Sequence, residues 1–149
     1  MISRRTFIAG TGATALLVAC VPSAGAVTIV AQGAAGMNTA PDGSDRPVTL
    51  QIIQMRGTGA FDGADFFALQ NPAGALGSDF VKAETLVVTA GGKATKTVAL
   101  DPSTVAIGVV AGFLQPGGKA FRAKSSVSPT GKSAFMVSLG AGGMTLTPA

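Results

Sequence analysis

Short stretches of alternating apolar and polar residues, separated by glycine- and proline-containing turns, constrain this chain more than any other feature. Successive side chains of a strand point to opposite faces, so this alternation predicts strands with one buried face. Clusters of Gly, Pro, Asn, Asp and Ser between the stretches predict turns. Many short strands at a spacing of roughly ten residues are typical of a β-sandwich. We therefore expect an all-β domain of about eight strands over residues 27–149.

The pattern assigns each strand to a stretch of the sequence. The predicted strands cover residues 27–32, 48–55, 85–90, 94–100, 104–114, 121–128, 135–139 and 144–146. Within the second of these, the apolar side switches from Ile52 to Ile53 and Met55, as expected of a β-bulge or of a strand end that is buried on both faces. Residues 104–114 alternate large apolar residues with Ala and Gly, which predicts a central strand.

Residues 62–80 interrupt the strand pattern and predict a small helical insertion between early strands. Asp62 is placed to cap a short helix that runs through Leu69 and ends before Pro72, and a second helical turn is expected at residues 78–80. Asp62 and Asp65 could alternatively be paired acids or calcium ligands. No third oxygen ligand is spaced with them, so we favour a cap and a first-turn carboxylate.

Residues 38–47 form a long connection between the first two predicted strands. Their sequence, NTAPDGSDRP, is dense in residues that favour turns. At about ten residues the connection exceeds the 2–5 residues of a usual hairpin loop. Long loops on a sheet scaffold often bind partners, although many are merely tolerated connections.

The single cysteine, Cys20, ends a segment with the features of an export leader. Residues 1–5 are basic, and residues 7–19 have the length of a signal-peptide apolar region and are too few to span a bilayer. Leu17-Val18-Ala19-Cys20 resembles the lipobox of bacterial lipoproteins. We expect a signal peptide of residues 1–19, lipid on Cys20 and a tether of residues 20–26. The alternative is a buried cysteine that acts as a small hydrophobic residue.

Arg4 and Arg5 are the candidate export residues. The string Ser3-Arg4-Arg5-Thr6-Phe7-Ile8 resembles a twin-arginine signal. Alternatively, the two arginines are only the positive start of a general secretory leader, and the sequence leaves both routes open. Val21 follows Cys20 at the position where an Asp, in bacterial lipoproteins generally, causes retention in the inner membrane. This favours sorting to the outer membrane.

Composition excludes several kinds of chemistry. The chain has no histidine, so Ser–His and Cys–His pairs are absent and zinc lacks its commonest nitrogen ligand. A Ser–Lys pair is left open, but nothing marks one. The net charge of +4 falls to +2 without Arg4 and Arg5, and no basic run predicts nucleic-acid binding. We expect no enzyme activity, no catalytic residue, no metal and no cofactor.

Several short strings follow one another in an order that resembles the TssJ lipoproteins of type VI secretion systems. They extend from about residue 27 to residue 122, behind the lipobox, and their order is more specific than any single string. The strings are Met37-Asn38, Arg46-Pro47-Val48, Ile53-Gln54-Met55, Phe61, Ala64-Asp65-Phe66, Leu69, Leu76-Gly77-Ser78-Asp79-Phe80, Ile107-Gly108-Val109-Val110-Ala111 and Phe121-Arg122.

The resemblance implies a transthyretin-like β-sandwich with extra short helices, lipid-anchored in the outer membrane and facing the periplasm. TssJ lipoproteins bind the periplasmic domain of TssM, an inner-membrane protein, and complete an envelope-spanning complex with TssL. In the family, the loop between the first two strands is implicated in holding TssM. In this sequence that loop is residues 38–47, and Asn38, Asp42, Asp45 and Arg46 are its candidate contact residues.

Two other functions are also compatible with the residues of this sequence. A periplasmic carrier lipoprotein would hold a small ligand or peptide in a substantial apolar pocket, whereas a scaffold protein would have a filled core and a polar loop surface. A small hydrolase would need a cleft with convergent polar groups and a perturbed lysine.

Overall fold

Two four-stranded sheets pack face to face in the computed structural model, which describes residues 24–149. The strands are β1 (Ala26–Gly33), β2 (Val48–Met55), β3 (Phe80–Val88), β4 (Lys93–Ala99), β5 (Ala106–Ala111), β6 (Arg122–Ser126), β7 (Lys132–Gly140) and β8 (Gly143–Pro148). Four short helical segments lie between β2 and β3: α1 (Gly59–Gly63), a 3₁₀ turn (Ala68–Gln70), α2 (Pro72–Leu76) and a second 3₁₀ turn (Gly77–Asp79). The prediction of an all-β sandwich with a helical insertion between early strands is therefore confirmed.

The first sheet has the strand order β4-β1-β7-β8 and the second sheet has the order β3-β2-β5-β6. Every neighbouring pair is antiparallel except β1 and β7, which are parallel. The apolar residues of the inner faces meet between the sheets, with Ile29 on β1, Leu50 and Ile52 on β2, and Val137 on β7 among them. β5 is buried along its whole length, as predicted for a central strand.

The helical insertion packs on the outer face of the second sheet. Its Phe61 is 1% exposed and lies in a cluster with Ile53 and Met55, so the switch of apolar side in β2 marks a strand end buried on both faces. The pairing of β2 with β3 also shifts register between Gln54 and Met55, as a β-bulge does. A β-carbon at Gly108 on β5 would lie 2.6 Å from the Phe61 ring, so only glycine admits the ring at that distance. Burial of this side chain contributes roughly 3 kcal/mol to folding.

The helix expected from Asp62 to Leu69 is wrong in its bounds and in its cap. Asp62 lies inside α1, whose N-cap is Thr58, and its carboxylate pairs with Lys124 at 2.5 Å. Asp65 lies between helical segments and accepts a hydrogen bond from the Ala68 amide at 2.8 Å. Pro72 begins α2 rather than ending a helix, because the first helical position needs no amide hydrogen. Segments of three to five residues are too short for helical periodicity to be recognised.

The start of β1 and the connection between β1 and β2 lie at opposite ends of the sandwich. At the start, the Gly25 amide donates to the Pro129 carbonyl at 2.7 Å and the Leu100 amide donates to the Gly25 carbonyl at 2.8 Å. β1 then runs for 8 residues, a length of about 26 Å. We call the first end the tether end and the second the loop end.

Candidate partner-binding loop

Residues 38–47, which we call the β1–β2 loop, form a small hairpin at the loop end. The Ala40 amide donates to the Ser44 carbonyl at 2.8 Å, and the Gly43 amide donates to the Ala40 carbonyl at 2.8 Å. Gly43 has a φ of +85°, a left-handed conformation that glycine adopts without steric cost. A left-handed residue closing a three-residue turn is common in hairpins. The loop therefore has a defined shape of its own.

Asn38 fastens the base of this loop to the second sheet. Its side chain is 2% exposed. Its Nδ2 group donates to the Pro47 carbonyl at 3.0 Å, and its Oδ1 atom accepts from the Leu114 amide at 2.9 Å. Its main-chain carbonyl accepts from the Arg46 amide at 2.9 Å. Leaving a buried polar group without its partner costs about 1–3 kcal/mol, so these bonds hold the loop in place. The Asn38 side chain, predicted as a contact residue, is thus buried within the protein.

Asp45 ties the two arms of the β1–β2 loop together. Its Oδ2 atom accepts from the Gly36 amide at 2.6 Å and its Oδ1 atom accepts from the Asn38 amide at 3.4 Å. Asp45 also forms an isolated antiparallel bridge with Thr39. The residue is exposed, but both carboxylate oxygens bind the main chain of the first arm.

Asp42 and Arg46 form the charged surface of the loop. Asp42 Oδ1 accepts from the Ser44 hydroxyl at 2.6 Å and from the Ser44 amide at 3.0 Å. These bonds, the hydroxyl first, lower the pKa of Asp42 below its ordinary value. Their stabilisation is present above the ordinary aspartate pKa and is lost as the pH falls through the lowered value.

The ion pair between these two residues is weak. Arg46 Nη2 lies 3.5 Å from Asp42 Oδ2, and the side chains are 54% and 63% exposed respectively. An exposed pair of this kind contributes little to stability. The Arg46 guanidinium therefore retains hydrogen-bond donors that face solvent.

Two residues that support the loop were not predicted from the sequence. Leu114 supplies the amide that binds Asn38, and Lys119 Nζ donates to the Met37 carbonyl at 3.2 Å while lying 4.8 Å from the centre of the Phe113 ring. Both come from a segment far along the chain, and such main-chain contacts leave no periodic pattern in a sequence.

The remaining predicted site residues, Cys20, Arg4 and Arg5, lie outside the residues that the structure describes, so lipidation and export stay predictions. Within residues 24–149, no three His, Cys, Asp or Glu side chains are grouped so that they could hold a metal ion. None of the helices in this range has the length and apolar character needed to cross a bilayer.

The fold defines a class of protein, an all-β sandwich with a short helical insertion. The buried side chains between the sheets form one continuous cluster and are at most 7% exposed. A preformed charged hairpin extends from one end. Residues 25–142 match the family model of the type VI secretion lipoproteins, T6SS-SciN, which names VasD, EvfM and TssJ. The chain belongs to this family, as the resemblance predicted.

Solved structures share the fold. The type VI secretion lipoprotein TssJ1 of Pseudomonas aeruginosa is 25% identical, with a TM-score of 0.76 over 85% of this chain and 97% of that chain. Serratia marcescens Lip, a membrane-bound component of the type VI secretion system, is 20% identical, with a TM-score of 0.74 over 82% and 96%. A chain of a type VI membrane complex is 23% identical, with a TM-score of 0.71 over 83% and 98%. No curated protein sequence matches the chain.

Proposed function

We propose that this chain anchors the trans-envelope complex of a type VI secretion system by binding the periplasmic domain of TssM through the β1–β2 loop. Lipid on Cys20 holds it in the outer membrane, with the sandwich facing the periplasm, and TssL belongs to the same complex. Membership of the secretion lipoprotein family supports this role.

The observation that carries the proposal is the preformed shape of the β1–β2 loop. The side chains of Asn38 and Asp45 form hydrogen bonds within the protein that hold the hairpin in its shape. The side chains of Asp42 and Arg46 extend from the hairpin into solvent. A loop that is already ordered loses little conformational entropy when a partner binds, which favours affinity.

The positions of the two ends also support the proposal. The predicted tether, residues 20–26, precedes the sandwich at the tether end and overlaps β1 only at Ala26, whereas the β1–β2 loop lies about 26 Å away along β1. A lipid on Cys20 would therefore hold the first end near the membrane and leave the loop facing away from it, toward an inner-membrane partner.

Shortening the loop tests its role. Replacing residues 40–44 with Asn-Gly retains Asn38 and Asp45 and gives a tight two-residue turn. Because the exposed tip is removed, we expect the affinity of the full-length protein for the TssM periplasmic domain to fall at least about tenfold. Isothermal titration calorimetry measures the affinity, and thermal unfolding checks that the fold is retained.

A matched pair of point variants provides the control. Asp101 accepts hydrogen bonds from the Ser103 hydroxyl at 2.6 Å and amide at 2.9 Å, as Asp42 does from Ser44, but it lies at the tether end. We expect Asp42→Ala to weaken binding and Asp101→Ala to leave it unchanged. Wild-type affinity in the shortened variant would refute the proposed role of the loop.

A further inference from the structure

A groove of about 520 Å³ runs beside the β1–β2 loop on the outer side of the second sheet. Its lining includes Pro41, Arg46 and Pro47 of the loop, with Thr49, Gly112 and Leu114 of the sheet and the segment that follows β5. The groove is thus walled by the β1–β2 loop on one side, and its floor belongs to the sheet.

Strand register extends the floor of this groove. Thr49 is paired with Val87 on β3, and the Gly112 amide donates to the Thr49 carbonyl at 3.0 Å. Paired residues of neighbouring strands have their side chains on one face, so Val87, Thr49 and Gly112 form a row across the sheet. A β-carbon at Gly112 would lie 3.8 Å from Gln70 Oε1. The Gln70 side chain of the helical insertion therefore lies beside Gly112, next to the groove.

Two of the most exposed apolar side chains lie on this row or at its end. The most exposed large apolar residues described are Phe67, Val87, Leu114 and Val105, at 76%, 54%, 54% and 49%. Val87 extends the floor of the groove through its pairing with Thr49, and Leu114 lies at the end of the groove. Phe67 lies three residues before Gln70 in the helical insertion, and its carbonyl accepts from the Gln70 amide at 3.2 Å. Only Val105 lies elsewhere, at the tether end beside β5. Clustered exposed apolar surface is typical of an interaction site.

The Phe67 ring is held in position despite its exposure. It meets the Phe66 ring edge-on at 5.4 Å between centroids, and Phe66 meets Phe121 in the same manner at 5.2 Å. Fixed aromatic side chains at a surface are favoured anchors for a partner, since little rotamer freedom is lost on binding.

The positive charge of Arg46 favours a bound segment that carries a carboxylate. Arg46 stands at the rim of the groove, and among the described residues its guanidinium meets only the Asp42 carboxylate, at 3.5 Å. The donors that remain match a carboxylate, which arginine can bind through two parallel hydrogen bonds.

We propose that this groove, together with Phe67, binds an acidic amphipathic segment of the partner that the β1–β2 loop holds. Apolar side chains of the segment cover Val87, Leu114 and Phe67, and a carboxylate beside them pairs with Arg46. This inference rests on the proposed function. It adds to the loop a second contact surface, which is formed by β3, the segment after β5 and the helical insertion.

Serine substitutions test the apolar part of the groove. Full-length Phe67→Ser, Val87→Ser and Leu114→Ser variants are titrated with the TssM periplasmic domain, and Val105→Ser serves as the matched control. We expect about tenfold weaker binding for each of the three and wild-type affinity for the control. All four side chains are exposed, so each variant should remain folded with only a small change in unfolding temperature, the largest in Phe67→Ser, which loses the contact with Phe66.

The outcomes separate this inference from the proposed function. Wild-type affinity in the three serine variants, with normal binding by the wild-type protein, would overturn the groove alone, as would an equal loss in Val105→Ser. Failure of the wild-type protein to bind the TssM domain would overturn both proposals.

A salt titration tests the acidic character of the segment. Attraction between exposed charges weakens as ionic strength rises. We expect Arg46→Gln to bind severalfold more weakly at low salt and to lose less affinity than the wild-type protein between low and high salt. Identical salt dependence of the two proteins would overturn the assignment of an acidic segment.

Discussion

Two buried amide side chains fix the two ends of the sandwich. Asn38 does so at the loop end, as described above, and Gln54 does so at the tether end. Gln54 is 1% exposed, and its Nε2 group donates to the Ala99 carbonyl at 2.9 Å. Its Oε1 atom accepts from the Asp101 amide at 2.9 Å and the Thr104 hydroxyl at 2.8 Å. Each amide both donates and accepts, which neither a carboxylate nor an apolar side chain of similar size can do.

Asn38→Asp tests this requirement with almost no change of shape. A carboxylate still accepts from the Leu114 amide, but it cannot donate to the Pro47 carbonyl and it buries a charge. We expect a loss of about 2–4 kcal/mol in the free energy of unfolding at pH 7, measured by urea denaturation.

The pH dependence gives a second check on Asn38→Asp. Burial raises the pKa of the introduced carboxyl group above its unfolded value, so the loss relative to the wild-type protein grows as the pH rises through these values and shrinks in acid. The control, Asn71→Asp at an exposed position, should change stability by no more than about 0.5 kcal/mol. An equal loss in both variants would contradict the role of Asn38.

At the scale of elements, the helical insertion depends on the second sheet for its structure. α1 has 5 residues, too few for a helix to be stable alone. Arg122 on β6 donates through Nη1 to the carbonyls of Phe61, at 2.7 Å, and Ala64, and through Nη2 to that of Asp62 at 3.0 Å. One guanidinium thus satisfies carbonyls left unpaired at the C-terminal end of α1.

Arg122→Lys keeps the charge and removes the forked geometry. An ammonium group cannot serve three carbonyls in the directions that the planar guanidinium reaches. We expect a loss of about 1–3 kcal/mol in unfolding free energy, and faster amide hydrogen exchange in residues 59–70 than in the wild-type protein, with β1 and β7 still protected.

Lys124→Arg is the control for this variant, because it lies on the same strand and its pair with Asp62 is partly exposed. It should leave both stability and exchange near wild-type values. Unchanged exchange of residues 59–70 in Arg122→Lys would show that the insertion is stable without the guanidinium.

Sequence reasoning succeeded for the elements whose pattern is local. Alternation located all eight strands, although β3 begins at Phe80, five residues before its predicted start. Turn composition located the β1–β2 loop. It failed where contacts between residues far apart in the sequence determine the structure. Nothing near β1 indicates that it pairs in parallel with β7, and nothing near Asn38 indicates that the amide of Leu114 will meet it. Pro72 is ambiguous in the sequence, because proline both ends helices and begins them, and here it begins α2.

At the scale of the whole molecule, the tether end and the loop end are different in kind, and they are separated by one strand of 8 residues. The described domain has a continuous apolar core between its two sheets. If lipid on Cys20 is the sole attachment, removal of the thiol should detach the protein without unfolding it.

Cys20→Ser tests this attachment. We expect the variant to leave the outer-membrane fraction and to be recovered as a soluble, folded protein, as judged by fractionation and circular dichroism, because the lipid has no sulfur to join. Ser23→Ala, three residues away, should still sediment with membranes. A Cys20→Ser variant that also sediments would refute lipidation as the sole attachment.

The place of β1 inside its sheet determines how the domain bears tension. β1 is in register with β4 over 7 residue pairs and with β7 over 8 pairs. A pull between Gly25 and the β1–β2 loop acts on the two ends of this one strand, so the covalent backbone of β1 carries the load. The strand is already extended, at about 3.3 Å per residue, and the ladders on both sides hold it in that form. Tension therefore passes between the two ends with little change in their separation and without a ladder having to open.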